Sequence, residues 1–456
     1  MAAGQGSRMR SAQPKVLHTL AGAPLLQHVL ATATALQPRN LVVVVGHQGE
    51  QVQAYLSQCA PQAQSVWQRP PQGTGHAVQQ AVPQLANDGV VLVLSGDVPL
   101  IDLGNLQALC ALAQQGALAL LSLNMPEPTG YGRIVRKEQA VVGIVEEKDA
   151  TDAQRQLTEV YTGVLAAPAA ELKRWLARLS NHNAQGEYYL TDVVAHAVAD
   201  GCTVDTVAAA HANSVAGVNT PLQLAQLERA LQQQRAQALL QQGVQLADPA
   251  RVDVRGNLQC GQDVRIDINC IFEGNVVLAE GVQVGAHCVL RHATVGPGTQ
   301  LLPYTLIEGD AQQPVVIGAG TRVGPYARLR PGTTLGADVH VGNFVEIKAS
   351  TMADGAKANH LAYVGDASVG ERVNVGAGTI VANYDGANKH RTTIEADVHV
   401  GSNSVLVAPV TLGAGGTVGA GSAITKDTAP GALTVARAKA VSVPNWQRPT
   451  KKPPKT

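Results

Sequence analysis

The sequence predicts three consecutive parts: a Rossmann-like α/β domain, a long connecting helix and a left-handed parallel β-helix. Short apolar runs alternate with helical patterns over residues 1–218. A Gln-rich helical stretch follows at 219–243, and an aliphatic residue then recurs at every sixth position through much of 244–456. A period of six fits neither a helix nor a flat strand, and it is typical of stacked hexapeptide coils.

The α/β prediction depends on two apolar runs, 41–45 and 90–94. Helical patterns at 75–85 and 103–115 follow them, and strands that alternate with helices favour a largely parallel sheet. The second run leads into Ser95-Gly96-Asp97, which places a carboxylate at the carboxyl end of a strand, where α/β folds bind their ligands.

The connecting helix is expected to begin after Thr220, a suitable N-cap, with Pro221 at its first position. Gly243 is expected to end it. Helical spacing predicts a buried face that comprises Leu224, Leu227, Leu231, Gln234 and Ala238. We interpret this helix as a rigid connector between the domains.

The repeats predict a triangular coil in which three hexapeptides make one turn and every aliphatic residue points inward. The clearest runs are Ile317, Val323, Leu329, Leu335, Val341 and Ile347, then Val400, Leu406, Leu412, Val418 and Ile424. Insertions are expected at 309–315, 351–363 and 382–393. Such insertions commonly carry function, while the coils carry stability.

Composition excludes several classes of protein. Lys+Arg and Asp+Glu both number 34, so the formal net charge is zero and no nucleic-acid partner is expected. No apolar run approaches the roughly 20 residues that span a bilayer, so no membrane segment is expected. Six cysteines without a CxxC motif predict reduced thiols in the cytoplasm. The tail lysines, Lys451, Lys452 and Lys455, are expected to be a solvated end.

The N-terminus is a loop of small residues, Met1-Ala2-Ala3-Gly4-Gln5-Gly6-Ser7-Arg8-Met9, and Lys15 follows it. Free backbone N–H groups in such a loop can hold a nucleotide phosphate, and the two cations suit its charge. Taken alone, the loop could equally be a flexible terminus. Likewise Asp97 alone could be a helix N-cap, and Asn219 alone a turn residue.

Four further segments stand in order along the domain: Gln72-Gly73-Thr74-Gly75-His76, Ser95-Gly96-Asp97, Thr129-Gly130-Tyr131-Gly132-Arg133 and Val145-Glu146-Glu147-Lys148. With the loop they resemble the sugar-nucleotide pyrophosphorylase family over the whole domain. When the repeats are added, the resemblance extends from residue 1 to about 448. The chain then resembles the bacterial bifunctional family that combines UDP-N-acetylglucosamine pyrophosphorylase and glucosamine-1-phosphate N-acetyltransferase.

The resemblance implies Mg²⁺-dependent uridylyl transfer from UTP to N-acetylglucosamine 1-phosphate, with release of pyrophosphate. The nucleotide would be bound by Ala2, Ala3, Gly4, Arg8, Lys15, Gln68, Gly73 and Thr74. The sugar phosphate would be bound by Gly132, Glu146, Tyr161 and Asn219, and Mg²⁺ by Asp97 and Asn219. Because a substrate phosphate is already nucleophilic, positioning and charge neutralisation would supply most of the catalysis.

The sequence departs from this family in three places. The family has an apolar strand before the phosphate-binding loop, whereas the loop in this chain starts at Met1. Without that strand, apolar faces and backbone polar groups are expected to be uncovered. Tyr161 stands where the family often has Asn, so its backbone is the expected contact, and Ser95 stands where relatives can carry Tyr.

Two cations replace the usual glycine after an aliphatic position of the repeats: Arg330 follows Leu329, and Lys348 follows Ile347. Both are expected to point out of the coil, one above the other, and to share an anion such as a sugar phosphate. His360 lies in one of the expected insertions. A lone surface histidine is more often inert, but imidazole near this basic face suits proton abstraction from an amine.

The resemblance implies that His360 is the general base of acetyl transfer from acetyl-CoA to glucosamine 1-phosphate. The sugar phosphate and its amine would be bound by Arg330, Glu346, Lys348, Tyr363, Asn374, Asn383 and Tyr384. Acetyl-CoA would be bound by Ala377, Ser402, Ala420 and Arg437. A homotrimer with the site between neighbouring subunits is also implied.

Two alternatives remain beside a two-site enzyme. One is a uridylyltransferase whose β-helix is only a trimerisation scaffold, although a scaffold would not need Arg330, Lys348 and His360 on its outer face. The other is an acetyltransferase whose first domain is inactive because the strand before the loop is absent.

Overall fold

The computed structural model describes residues 1–451, which divide between Gln233 and Gln234 into two compact units. The division falls within the long helix Pro221–Gln241. The predicted domain limits themselves, at 218 and 243, remain predictions.

Three expectations concern the tail lysines, the cysteines and membrane segments. Lys451 is exposed, whereas Lys452 and Lys455 lie outside the described residues. All six cysteines are free. Over residues 1–451, no helix combines the length and the apolar character that a bilayer crossing needs.

The first unit alternates helices and strands. Its helices are α1 (Leu25–Ala35), α2 (Gly49–Cys59), α3 (Thr74–Ala81), α4 (Leu103–Gln114), α5 (Asp152–Arg155), α6 (Ala169–Ala177), α7 (Asp192–Ala199) and the long helix α8 (Pro221–Gln241). Its strands are β1 (Thr19–Leu20), β2 (Ala23–Pro24), β3 (Val42–Val45), β4 (Gln64–Trp67), β5 (Val90–Val93), β6 (Leu118–Asn124), β7 (Gly132–Lys137), β8 (Ala140–Val145), β9 (Glu159–Pro168) and β10 (Val204–Ala208).

The sheet of this unit is mixed, so the expectation of a largely parallel sheet was wrong. Strand order is β10-β6-β9-β7-β8, and β5 also pairs with β9. Only β10 and β6 form a parallel pair there, because β9 pairs antiparallel with β5, β6 and β7. Strands β7 and β8 also pair antiparallel, since they are joined by only two residues. Strands β3 and β4 form a separate parallel pair.

A cleft of about 680 Å³ lies between β3 and β5. Its lining includes residues 42–44 and 90–94 of the two strands. At one end of the cleft Ala2 pairs in parallel with Val45, and the carbonyl of Met1 accepts a hydrogen bond from the Gly96 N–H at 2.8 Å. Beyond the first two residues, the apolar strand Val90–Val93 is thus only partly buried along the cleft.

Helix α8 begins and ends as predicted, but its buried face was partly wrong. The Thr220 hydroxyl accepts the Gln223 N–H at 3.2 Å, and Gly243 follows the helix with a φ of 91°. Leu227 is buried, and Leu224 and Leu231 are half-buried, as expected. In the C-terminal half, however, Gln234 and Ala238 are exposed, and the buried positions are Gln232, Ala236 and Leu239. From Gln234 the helix belongs to the second unit, whose core includes Leu239, so its buried face differs from that of the first half.

The second unit is a parallel β-helix with three faces, as predicted. One face holds Gln245–Leu246, Arg265–Ile266, Gln283–Val284, Gln300–Leu301, Arg322–Val323, His340–Asn343, Lys357–His360, Asn374–Val375, His399–Val400, Thr417–Val418 and Leu433–Thr434. Three long strands bend across the other two faces: Val252–Cys260, Cys270–Leu278 and Val289–Val295.

Beyond these long strands the second and third faces separate. The second continues with Leu306–Glu308, Arg328–Leu329, Glu346–Lys348, Tyr363–Gly365, Ile380–Ala382, Val405–Val407 and Ala423–Ile424. The third continues with Val315–Ile317, Thr334–Leu335, Thr351–Met352, Ala367–Val369, Thr392–Ile394 and Val410–Leu412. All eleven aliphatic residues of the two predicted runs are at most 2% exposed, which confirms that they point inward.

Two of the three expected insertions are present. One separates the strands Leu306–Glu308 and Val315–Ile317, and the other separates Ile380–Ala382 and Thr392–Ile394. The third, at 351–363, was wrong, because regular coil strands run through it. Leu329 pairs with Ile347 over 347 − 329 = 18 residues, but Ile347 pairs with Val364 over only 364 − 347 = 17. One missing residue shifts the six-residue period, and the sequence pattern there suggests a break that does not exist.

Candidate active sites

A cavity of about 410 Å³ in the first unit gathers most of the residues predicted to bind the nucleotide. Its lining includes Ala2, Ala3, Gly4, Lys15, Gln68, Gly73, Thr74, Ser95 and Asp97. Arg8 lies outside this lining, exposed in the short turn Ser7–Met9. The cavity therefore unites the N-terminal loop with the start of α3 and the end of β5.

The N-terminal loop is held close to two strand ends that carry glycine. A Cβ atom on Gly46 would lie 2.6 Å from the Ala3 carbonyl oxygen, and one on Gly96 would lie 2.9 Å from that of Met1. A side chain at Gly46 would push the loop away. The Ala2 N–H donates to the Val44 carbonyl at 2.7 Å, so the loop is an ordered part of the unit and not a flexible end.

The start of α3 is fixed by contacts on both sides. Gln68 is buried, and its Nε2 donates to the Gly73 carbonyl at 2.8 Å. Gly73 has a φ of 104°, which favours glycine, and a Cβ there would lie 2.6 Å from the Tyr188 carbonyl. The Thr74 hydroxyl accepts the Leu190 N–H at 3.0 Å. These contacts fix Gln68, Gly73 and Thr74, all predicted to bind the nucleotide, in one wall of the cavity.

Lys15, Asp97 and Asn219 meet at the cavity edge. The Lys15 ammonium donates to Asp97 Oδ2 and, at 3.0 Å, to Asn219 Oδ1. The Val218 N–H donates to the Asp97 carbonyl at 2.9 Å, which ties the two oxygen-bearing segments together. Asp97 is not a helix N-cap, because Asp102 caps α4. The two oxygens predicted to bind Mg²⁺ therefore point to one position.

Gly132, Glu146 and Tyr161 come together on neighbouring strands. Gly132 pairs with Tyr161, and a Cβ on Gly132 would lie 3.6 Å from Glu146 Oε2. Burial raises the pKa of the Glu146 carboxyl, although the Thr191 hydroxyl donates to it at 2.9 Å. Burial and the charge of Glu146 also raise the pKa of Tyr161, whose hydroxyl is buried without a hydrogen-bond partner. Sequence reasoning missed Thr191, which no motif marks.

In the second unit Arg330 and Lys348 each face a carboxylate of their own, and that they share an anion stays a prediction. Arg330 Nη1 lies 2.9 Å from Glu346 Oε1, and Lys348 Nζ lies 3.6 Å from Asp366 Oδ2. A further ammonium, Lys389, faces Lys348, which lowers the pKa of Lys389. Sequence reasoning missed Asp366 and Lys389, the second of which lies in the insertion 382–393.

Tyr363 and Asn383 join this cluster. Asn383 Nδ2 donates to Asp366 Oδ2 and lies 3.5 Å from the Tyr363 hydroxyl. A Cβ on Gly365 would lie 2.4 Å from that hydroxyl, so the ring lies over a glycine. Tyr384 is 60% exposed in the insertion. Asn374 lies on another face of the coil, between Lys357 and His399.

The predicted acetyl-CoA residues form a column at one corner of the coil. His360 pairs with Asn343, and the Gly378 N–H donates to the His360 carbonyl, which places Ala377 in the next coil. The Asn403 N–H donates to the Ala377 carbonyl, and the Gly421 N–H to the Ser402 carbonyl. The column from the N-terminal end is Asn343, His360, Ala377, Ser402 and Ala420, and Arg437 Nη1 donates to the Ala420 carbonyl at 2.6 Å.

His360 is exposed at this corner and makes one side-chain hydrogen bond there. Its Nδ1 lies 2.7 Å from Asn343 Oδ1. An amide oxygen only accepts, so Nδ1 must carry the proton and Nε2 of the neutral ring is left as an acceptor. Sequence reasoning missed Asn343, although its spacing of 360 − 343 = 17 residues from His360 is one coil.

Three family models match the chain. Residues 1–247 match the MobA-like NTP transferase domain. Residues 314–349 match the bacterial transferase hexapeptide (six repeats), and residues 391–426 match the hexapeptide repeat of succinyl-transferase. The matches cover both units.

Full-length relatives share the whole architecture. The chain is 61% identical to a protein of Albidiferax ferrireducens named bifunctional protein GlmU, over 99% of each chain. Proteins of the same name from Paracidovorax citrulli and Methylibium petroleiphilum are 61% and 59% identical, over 99% of this chain and 98% of theirs. The chain therefore belongs to the bifunctional GlmU family, as a transferase that joins a nucleotidyltransferase domain to a hexapeptide-repeat acyltransferase domain.

Proposed function

We propose that the enzyme makes UDP-N-acetylglucosamine in two steps. The second unit transfers acetyl from acetyl-CoA to the amine of glucosamine 1-phosphate. The first unit then transfers uridylyl from UTP to the N-acetylglucosamine 1-phosphate. The observation that carries this proposal is the corner column, because it aligns an oriented histidine with the four residues proposed for acetyl-CoA.

In the acetyl step the amine attacks the thioester carbon and its proton goes to His360 Nε2. The C–S bond then breaks, and His360 returns that proton to the leaving sulfur, so CoA leaves as the thiol. Asn343 fixes the tautomer in which Nε2 accepts that proton. Lys348, Lys389 and Arg330 bind the sugar phosphate, with Tyr363, Asn383 and Tyr384 around it. Glu346 and Asp366 hold Arg330 and Lys348 in place before the phosphate binds, so the neighbouring cations do not strongly repel one another.

In the uridylyl step a phosphate oxygen of the sugar attacks the α-phosphorus of UTP, and pyrophosphate leaves. Ala3 and Gly4 offer their backbone N–H groups to the phosphates, since the Ala2 N–H already donates to Val44. Gln68 with Gly73 and Thr74 holds the base. Glu146 hydrogen-bonds the sugar near Gly132. The work of the protein is positioning, since no strong base is required.

The donor set at Asp97 and Asn219 fits Mg²⁺. A carboxylate and an amide oxygen converge on one position, and Mg²⁺ prefers oxygen ligands. Within the described residues no group of three or more His, Cys, Asp or Glu forms a denser metal site. That suits an ion completed by substrate phosphates and water. When bound, Mg²⁺ would neutralise charge on the triphosphate.

We also propose that the enzyme is a cytoplasmic homotrimer. A trimer would bring a neighbouring subunit to the exposed corner at His360. The test is light scattering at working concentration, where a stable monomer would contradict it.

The cleft between β3 and β5 favours a second candidate, an acetyltransferase with an inactive first unit, because the cleft borders the N-terminal loop. A coupled assay separates the two. The polypeptide is given UTP, Mg²⁺, acetyl-CoA and glucosamine 1-phosphate, and CoA and pyrophosphate are measured separately. Release of both supports the two-step function, and CoA alone supports the second candidate. No CoA from this reaction, together with pyrophosphate from a parallel reaction supplied with N-acetylglucosamine 1-phosphate, supports a scaffold role for the β-helix.

A further inference from the structure

The ammonium of Lys15 occupies the position on which the proposed metal ligands converge. It donates to Asp97 Oδ2 and to Asn219 Oδ1, the latter at 3.0 Å. Asn219 is 204 residues from Lys15 in sequence, so the convergence is a product of the fold. An ammonium and a divalent cation cannot share one position between the same two oxygens.

The ion pair is largely shielded from solvent. The side chains of Lys15 and Asp97 are 13% and 20% exposed. The Asn219 N–H donates to Gln223 Oε1 at 2.8 Å, and the Val218 N–H to the Asp97 carbonyl at 2.9 Å, so the acceptor oxygens are held in place. A shielded ammonium that leaves such a pair needs another anion, because an unpaired buried charge is costly.

The same cavity supplies that anion when nucleotide is bound. Lys15 lines it together with Ala2, Ala3 and Gly4, the loop proposed for the phosphates. A lysine stem is flexible, so its head group can move from one partner to another while the stem stays in contact.

We propose that Lys15 and the divalent cation exchange at Asp97 and Asn219, and that the released ammonium then binds the triphosphate. Lys15 is thus a positioning residue with two alternative partners. The exchange makes the binding of metal and nucleotide mutually favourable. The metal releases the Lys15 ammonium, and the triphosphate provides that ammonium with a new anion. This inference rests on the proposed metal site of the first unit.

The test measures binding of Mn²⁺, as a probe, to the nucleotide-free protein by electron paramagnetic resonance of the free ion. Lys15→Met keeps the apolar stem and removes the competing ammonium. It should bind Mn²⁺ at least about tenfold more tightly than the unmodified protein. In the unmodified protein the metal must break the charged hydrogen bond from Lys15 to Asp97, whereas the variant has no such bond. Arg10→Met, which removes an exposed cation of the same loop, should change the affinity by less than about threefold.

The second measurement is UTP affinity with Mg²⁺ present, which should fall about tenfold in Lys15→Met. Opposite changes in the two affinities identify exchange, whereas a damaged unit would lose both. Unchanged or weaker Mn²⁺ binding in Lys15→Met, or an equal gain in Arg10→Met, would overturn the proposal. Asp97→Asn tests the metal site independently of the exchange. If that variant binds Mn²⁺ normally, the proposed metal site is wrong.

Discussion

The two sites of this chain are assembled in different ways. In the first unit Lys15, Asp97 and Asn219 meet although Lys15 and Asn219 are 204 residues apart. In the second unit Asn343, His360, Ala377, Ser402 and Ala420 succeed one another by one coil each. A mixed sheet brings distant loops to one cavity, whereas in a solenoid residues that are one coil apart in sequence are neighbours in space.

This difference has a consequence for robustness. The first site depends on how the ends of several strands are held together, and a cleft of about 680 Å³ lies between two of them. The second site is attached to inward residues that are almost fully buried through every coil. Changes that loosen the first unit should therefore affect only its own reaction.

The largest effect is expected for His360→Ala. Without a base at Nε2, acetyl transfer should fall by about 10²–10⁴-fold. Uridylyl transfer should be unchanged, since His360 belongs to the other unit. CoA release and pyrophosphate release, measured on the same preparation, check this. Equal losses in both rates would show that the two sites do not divide the reactions between them.

The corresponding variant in the first unit is Asp97→Ala. Losing the carboxylate at the proposed cation position should lower uridylyl transfer by about 10²–10³-fold. Acetyl transfer should be unchanged because its cations are Arg330, Lys348 and Lys389. A selective loss of acetyl transfer, followed as free CoA thiol, would reverse the assignment.

The cleft between β3 and β5 predicts an effect on stability. Five apolar residues with strand propensity, or five Gly/Ser residues, are added before Met1. Only the apolar extension should raise the melting temperature, because it can fill the cleft. Identical melting temperatures for the two extensions would show that the cleft does not accept a strand.

The smallest effect is expected for Asn343→Leu. It removes the acceptor of His360 Nδ1 at similar volume, and kcat of acetyl transfer should fall up to about tenfold while KM for acetyl-CoA is retained. Asn343→Asp keeps an acceptor and should restore most of kcat. Heteronuclear NMR of His360 should show the Nδ1–H tautomer only when an acceptor is present at 343. A parallel loss in both variants would argue for a merely structural role.

Much of the fold was predictable, because hydrophobic periodicity reports burial directly. The inward residues from Ile317 to Ile347 and from Val400 to Ile424 are buried as expected. The error at 351–363 arose where a coil has 17 residues, since a one-residue deletion changes the period without breaking the coil. The mixed sheet was missed because apolar runs show that strands exist but not their direction.

The residues that form each site were more predictable than the contacts between them. The nucleotide-binding loop, Gln68, Gly73, Thr74 and Asp97 do line one cavity. Their roles remain proposals. The pairing of Arg330 with Glu346 and of Lys348 with Asp366 could not be inferred, because a pattern of exposed cations does not show which carboxylates face them. Asn343 could have been predicted, because it lies one coil before His360 in the sequence.

The measurement that tests the central claim most directly mixes His360→Ala and Asp97→Ala proteins with UTP, Mg²⁺, acetyl-CoA and glucosamine 1-phosphate. Each variant is first shown to retain its other half-reaction. We predict that neither alone forms UDP-N-acetylglucosamine at an appreciable rate, and that the mixture forms it after a lag while the acetylated intermediate accumulates. A mixture that stays inactive would contradict the claim that each unit carries a complete and separate active site.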